Sequence, residues 1–182
     1  MADTYVRSLA SGHTKYAVLT SLPADPTAAT LTELQAGIDA ACRITADSTL
    51  GATDDNTVND PALCDTVSAD VPTTSKYDGT WNIFRYFDPT TKNPETGTGG
   101  EIGDGLFSAM SELGTTLYVA KRQTLKLSTE DWAEDDPYEL FEVMTGTPQD
   151  GAAGGAFGGD GYIKKTVKLY VQRHWDGVVA TA

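Results

Sequence analysis

The chain has 182 residues, 40% hydrophobic and 21% charged, a balance that excludes a disordered chain and suits one domain with a real core, with or without long arms. Thirteen Lys and Arg face 26 Asp and Glu, a formal net charge of −13, and a surface of that sign repels a phosphate backbone, which argues against nucleic-acid reading through a basic patch. No apolar run approaches the ~20 residues of a membrane span, and MADTYVRSLASGHTKYAVLT lacks the basic start and apolar core of a signal peptide, so the expectation is a protein made and kept in a cytoplasm until it is assembled.

Residues 1–30, rich in Thr and Ala with Pro23 and Pro26, read as an extended N-terminal arm holding at most one short strand, Tyr16 to Leu19. Thr30 and Glu33 form a capping box, which predicts a helix from Leu31 to Ala36 that Gly37 ends. In IDAACRI, Ile38, Ala40, Cys42 and Ile44 alternate with polar or small residues, a strand pattern; one longer helix through Leu31, Leu34, Ile38 and Cys42 is the competitor, and Gly37 weighs against it. Residues 47–65 carry the Asp, Asn, Thr and Gly of turns, and Val67 to Val71 reads as a short strand. Residues 79–87 read as a strand with an unusual property. Trp81, Ile83, Arg85 and Phe87 form one face, Thr80, Asn82, Phe84 and Tyr86 the other, so large aromatics stand on both. A polar loop, 88–104, leads to a short helix in GLFSAMSELG with Leu106, Phe107, Met110 and Leu113 on one side and Gly114 at its C-cap. Strands follow at 115–122 and 138–145, separated by the acidic turn EDWAEDD. Residues 146–161 hold seven glycines in sixteen positions and read as a flexible hairpin tip or a loop ordered by a partner. The strand 162–175 puts Ile163, Val167, Leu169 and Val171 on one face and Lys164, Thr166, Lys168, Tyr170 and Gln172 on the other. The sum is mainly β: an antiparallel β-sandwich or barrel with one or two short helices, long loops and an N-terminal arm. Its parts are an arm at 1–30, a domain at 31–176 with flexible loops 88–104 and 146–161, and a C-terminal tail at 177–182.

Catalytic chemistry has little to stand on. The histidines are His13, in the arm, and His174, at the end of a strand; no nucleophile elbow accompanies them. Glu139 and Glu142 point to opposite faces of a strand, so they fail as a two-carboxylate pair. TDDNTVND offers Asp54, Asp55, Asn56 and Asp60, but Val58 and Asn59 break the calcium-loop pattern, leaving at most a casual surface cation. Cys42 and Cys64 have no metal-ligand spacing and read as two small buried thiols. The glycine segment lacks the Lys and following helix of a phosphate loop. No catalytic, cofactor-binding or metal residue is assigned and no cofactor is expected. Lys164, Lys165, Lys168 and Arg173 beside Tyr162 and Tyr170 read as a basic strand that pairs with acidic segments of its own chain or of a neighbour, an arrangement suited to head-to-tail self-association.

Taken together, LTELQAGIDAACRI, TDDNTVNDPALCDTVSADVPTTSKYDGTWNIFRYFD, ELGTTLYVAKR and GDGYIKKTVKLYVQ resemble the major tail proteins of long-tailed, non-contractile bacteriophages, over residues 31 to 173. The resemblance implies a β-sandwich with a flanking helix, hexameric rings stacked into a hollow tube, and loops and an arm that lock ring to ring. The partners it implies are further copies of the chain, tape-measure, tail-terminator and baseplate or tail-tip proteins, and DNA as passing, repelled cargo during ejection; the place is the virion tail. On this reading the second apolar face of 79–87 meets the helix at 105–113 or a neighbouring subunit. No motif assigns lumen or assembly residues. The rivals are a tail terminator or head decoration protein, and a carbohydrate- or cell-surface-binding β-sandwich module using Trp81, Trp132 or Trp175.

Overall fold

The computed structural model describes residues 12–59, 70–95, 103–150 and 161–181. It is mainly antiparallel β with two short helices: β1 Thr14–Leu19, α1 Leu31–Gln35, β2 Ile38–Asp39, β3 Thr49–Val58, β4 Val71–Phe84, α2 Gly105–Met110, β5 Thr116–Gln123, β6 Pro137–Thr145, β7 Gln149–Asp150 and β8 Lys164–Val178. The strands make one open sheet in the order β2-β1-β5-β6-β8-β4-β3, with β7 continuing the β6 side of β8. Although β1 and β4 are three strands apart in that order, Tyr16 and Trp81 touch edge to face at 5.2 Å, so the sheet curls. The link from β2 to β3 spans the gap: Ala40 N–H donates to Tyr16 C=O, Ile44 bridges Ile83, and Arg43 and Thr45 exchange backbone bonds with Phe84 and Asn82.

Curling gives the sheet two separate cores. On the concave side Tyr16, Val18, Leu50, Trp81, Ile83, Val119, Phe141, Val143, Val167 and Leu169 pack together, capped by Leu106 and Met110 of α2. On the convex side Ala17, Leu19, Ala120, Tyr138 and Leu140 are covered by Leu34 of α1, Trp132 and Val179. The capping box forms as expected, with Thr30 Oγ1 accepting from Glu33 N–H and Glu33 accepting from Thr30 N–H.

The two-faced stretch 79–87 is resolved by these layers. Trp81 and Ile83 are wholly buried in the concave core, under α2. Arg85 continues that side, held by both oxygens of buried Asp104 and lying 3.9 Å from the Phe107 ring centroid. The opposite face does not meet α2: Asn82 bonds Thr166 and Asp47, and Phe84 stands edge-on to the exposed Tyr162 ring.

Several expectations are corrected. IDAACRI is a strand only at Ile38–Asp39; residues 40–44 turn, and Cys42 is exposed at that turn, not buried, its carbonyl accepting from Tyr86 Oη–H. Cys64 lies outside the described residues. The turn-rich 47–65 contains the ten-residue strand β3, ordered by the backbone of β4. Val71 opens β4, and the rest of the strand expected from Val67 lies outside the described residues. Helix α2 stops at Met110, and Leu113 is 71% exposed. Thr145 pulls the chain off the helical path by donating from Oγ1 to Glu112 C=O, and Gly114, at φ 81°, turns it into β5. Within 1–30, Thr14–Leu19 is integral to the sheet. Of the loops expected to be flexible, 96–102 and 151–160 lie outside the described residues.

Arg122, fully buried, fixes the cover of the convex core. Its guanidinium donates to the carbonyls of Leu127, Glu130 and Asp131 and to Asp136 Oδ2, and lies over the Trp132 ring. Burial alone would push the Asp136 carboxyl up; the hydrogen bonds from Lys126 and the Ala133 N–H, with the Arg122 charge, outweigh it and hold the group below the ordinary carboxylate range. A depressed folded-state value contributes stability that is complete above the unfolded value of about 3.9 and is lost as pH falls through the folded value. Asp136→Asn is therefore expected to lower the thermal midpoint at pH 7, because Arg122 loses its charge partner, and to flatten the fall in midpoint between about pH 5 and pH 2. Thermal melts of both proteins across that range check this. Trp81→Ala, which empties the middle of the concave core, is expected to cost about 3–5 kcal/mol in denaturant unfolding.

Candidate assembly surface

With both cores covered, two features of the surface stand out among the described residues. The first is the far part of the β3–β4 hairpin. Strand β4 pairs with β8 only from Gly79 to Phe84. Beyond that point Thr53–Val58 and Val71–Lys76 pair with each other alone, and every one of these residues is exposed. Six residues of strand reach ~20 Å, and a two-stranded ribbon with no core is marginal by itself. Side chains brace it: Asn56 Nδ2 donates to Thr74 Oγ1, Thr73 Oγ1 to Asn56 C=O, and Asn59 Nδ2 to Asp70. Its charged side chains are Asp54, Asp55, Asp70 and Lys76, so it is net acidic. Val58 and Val71, paired across the far end, are 52% and 59% exposed.

The second is the outer face of β4, β8 and the end of β6. Alternation along β8 puts Val167 and Leu169 into the core and Lys164, Lys168 and Tyr170 outward. Opposite Glu142 and Val143 of β6, strand β8 carries one extra residue, Gln172, which shifts the register so that Arg173 stands outward opposite Glu142. Lys168 pairs with Asp78 at 3.1 Å and Arg173 with Glu142 at 3.7 Å, while Met144 and Tyr162 add exposed apolar surface. Lys165 turns to the other side and pairs with Asp150 of β7. The basic strand read from the sequence thus does pair with acids of its own chain, through solvent-exposed contacts of the kind worth at most about 1 kcal/mol each.

The residues weighed for chemistry are dispersed. His13 Nδ1 meets Lys126 C=O at 3.2 Å, far in sequence from His174. Glu139 joins Lys121 on the concave side and Glu142 joins Arg173 on the outer face, so they do not work as a pair. Asp54, Asp55 and Asn56 alternate along β3, and Asp60 lies outside the described residues. Trp81 and Trp132 are buried, and Trp175 is partly buried against the convex core, so the three do not form a shared exposed platform for a sugar ring. Sequence reasoning missed the ribbon, because a strand with solvent on both faces leaves no hydrophobic period to read; the repeated Thr, Val and paired Asx residues were its only trace.

A comparison with curated proteins returned no match. The family model for phage tail tube protein matches residues 1–182. The chain belongs to the phage tail tube protein family, and its exposed ribbon and basic face are surfaces of a structural component of the virion tail.

Proposed function

We propose that copies of this chain associate head to tail into hexameric rings that stack as the tube of a long, non-contractile phage tail, a conduit for DNA ejection. The observation that carries the reading is the coreless ribbon, an ordered segment whose exposed faces need a neighbour, on a chain of this family. The acidic ribbon of one copy meets the basic outer face of β8 of the next. Such a contact is heterologous: the two patches differ, so it propagates into rings or filaments instead of stopping at a dimer. The weak Lys168–Asp78 and Arg173–Glu142 pairs exchange partners at small cost when the neighbour arrives.

The net charge of −13 works against DNA adhering to the tube wall, since an acidic protein repels the phosphate backbone. Tape-measure, tail-terminator and baseplate or tail-tip proteins are the further partners; the chain itself performs no catalysis.

Electron microscopy across a concentration series, with mass measured on the same samples, is expected to give rings or hollow tubes of uniform width. A capped single ring would move a terminator or decoration role to the front, and a strict monomer that binds glycans would overturn the tube. Lys168→Glu with Arg173→Glu is expected to abolish assembly while lowering the monomer's melting only slightly, by the loss of two exposed pairs. Adding Asp54→Lys and Asp55→Lys to the same chain is expected to restore it. Failure of the swap with tubes still formed by the parent would remove the ribbon-to-β8 contact and leave the tube standing.

A further inference from the structure

The antiparallel register of β6 and β8 sets Glu139 opposite Asp176 and Phe141 opposite His174, so all four share the concave side of the sheet. His174 Nε2 lies 3.5 Å from Asp176 Oδ1 and 3.8 Å from Glu139 Oε1, and one donor atom from each residue fits within 4.8 Å of the others. Nε2 is enclosed by protein, yet it has no hydrogen-bond partner among the described residues. Two facts here are unfavourable without a further group. Buried polar nitrogens are almost always bonded, and like charges directly opposite on paired strands repel. Lys121 relieves only part of this: its Nζ bonds Glu139 Oε2 at 2.7 Å, on the side away from the Oε1 that faces His174.

A cation between the three donors would answer both. Oxygen and nitrogen ligands at about 2.0–2.2 Å from a tetrahedral divalent ion stand ~3.3–3.6 Å from one another, close to the 3.5 and 3.8 Å that separate His174 Nε2 from the two carboxylates. The donor set decides the class of ion. An imidazole nitrogen with two carboxylates suits zinc and its transition-metal neighbours, whereas calcium and magnesium take oxygen. The imidazole is also held in advance: it stacks on Tyr77 at 4.7 Å and 21° and leans on Phe141 at 4.9 Å, so little freedom is lost on binding. Asp176, with its side chain 81% exposed, gives the ion an approach from solvent.

We infer that Glu139, His174 and Asp176 form a binding site for a divalent transition-metal ion of the zinc class, with solvent completing the coordination. The site is complete within one copy of the chain and does not depend on the tube. It clips β6 to β8 and presses the His174 ring on Tyr77, where β4 leaves the sheet for the ribbon. The ion's role is structural: it steadies the root of the segment that reaches for the next subunit.

The test is calorimetric titration of the chelator-treated full-length protein with zinc alone, paired with thermal melts. One zinc per chain with a raised melting midpoint is expected. His174→Gln and Asp176→Asn should each weaken binding at least about tenfold and erase the thermal gain, while His13→Gln leaves both unchanged. Asp176 is exposed, so its variant keeps the test valid if His174→Gln unfolds. The inference falls if zinc does not bind saturably, if both site variants bind like the parent, or if His13→Gln alone removes binding.

Discussion

The contact between Tyr16 of β1 and Trp81 of β4 is the constraint from which the rest of the molecule follows. Five strands of one sheet must curl for these rings to meet. Glycine lets the backbone close at the turn of the curl: a Cβ on Gly79 would stand 2.9 Å from Leu50 Cδ1 and 3.2 Å from Leu169 Cβ, so a side chain there would push β3 and β8 off the core. Once the concave side is filled, the convex side of β1, β5 and β6 is still apolar and needs its own cover. The chain supplies it from α1, the 124–136 segment and Val179. That cover ends before the outer face of β4 and β8, which is why Met144 and Tyr170 on this face stay exposed.

Charge is handled differently in the two regions. Arg122 is taken wholly out of water, a step that costs several kcal/mol unless nearly every donor is satisfied. Three carbonyls and Asp136 satisfy its terminal nitrogens, and the return is a fixed path for a segment that has no regular structure of its own. On the outer face the pairs are exposed, longer and weakly bound. Buried charge here specifies the fold, and exposed charge is held loosely.

What the sequence disclosed follows the same division. Where an element is buried against a core, its signal was legible: α1 by its capping box, β6 and β8 by alternation, 79–87 as a strand with one face on the core. IDAACRI misled because Ile38, Ala40 and Ile44 do all reach the concave core, but a turn delivers them to it from two strands' worth of direction. The helix end at Met110 was invisible because Thr145, thirty-odd positions on, sets it. Strand β3 left no period because nothing beyond Leu50 buries it. The cluster of Glu139, His174 and Asp176 was hidden for another reason: it arises from strand register, and the bulge beside Glu142 sets that register.

The ribbon's own construction limits how it can be recognised. A free strand edge invites any other edge to pair with it. Here β3 is interrupted by irregular register at Ala52/Asp54 and again at Asn56/Thr57, carries two adjacent aspartates, and faces Pro72 across the pair. Proline removes a donor from the β4 edge and the extra residue Thr73 breaks its spacing, the extra residue Thr53 breaks the spacing of the β3 edge, and the charges penalise an acidic copy in the same register. Indiscriminate strand addition is therefore disfavoured on both edges. What the ribbon presents instead is side chains: carboxylates and hydroxyls along its length and two valines where its strands meet at the far end. A surface of that kind complements a basic, partly apolar one, and the proposed contact with the outer face of β8 rests on that complementarity.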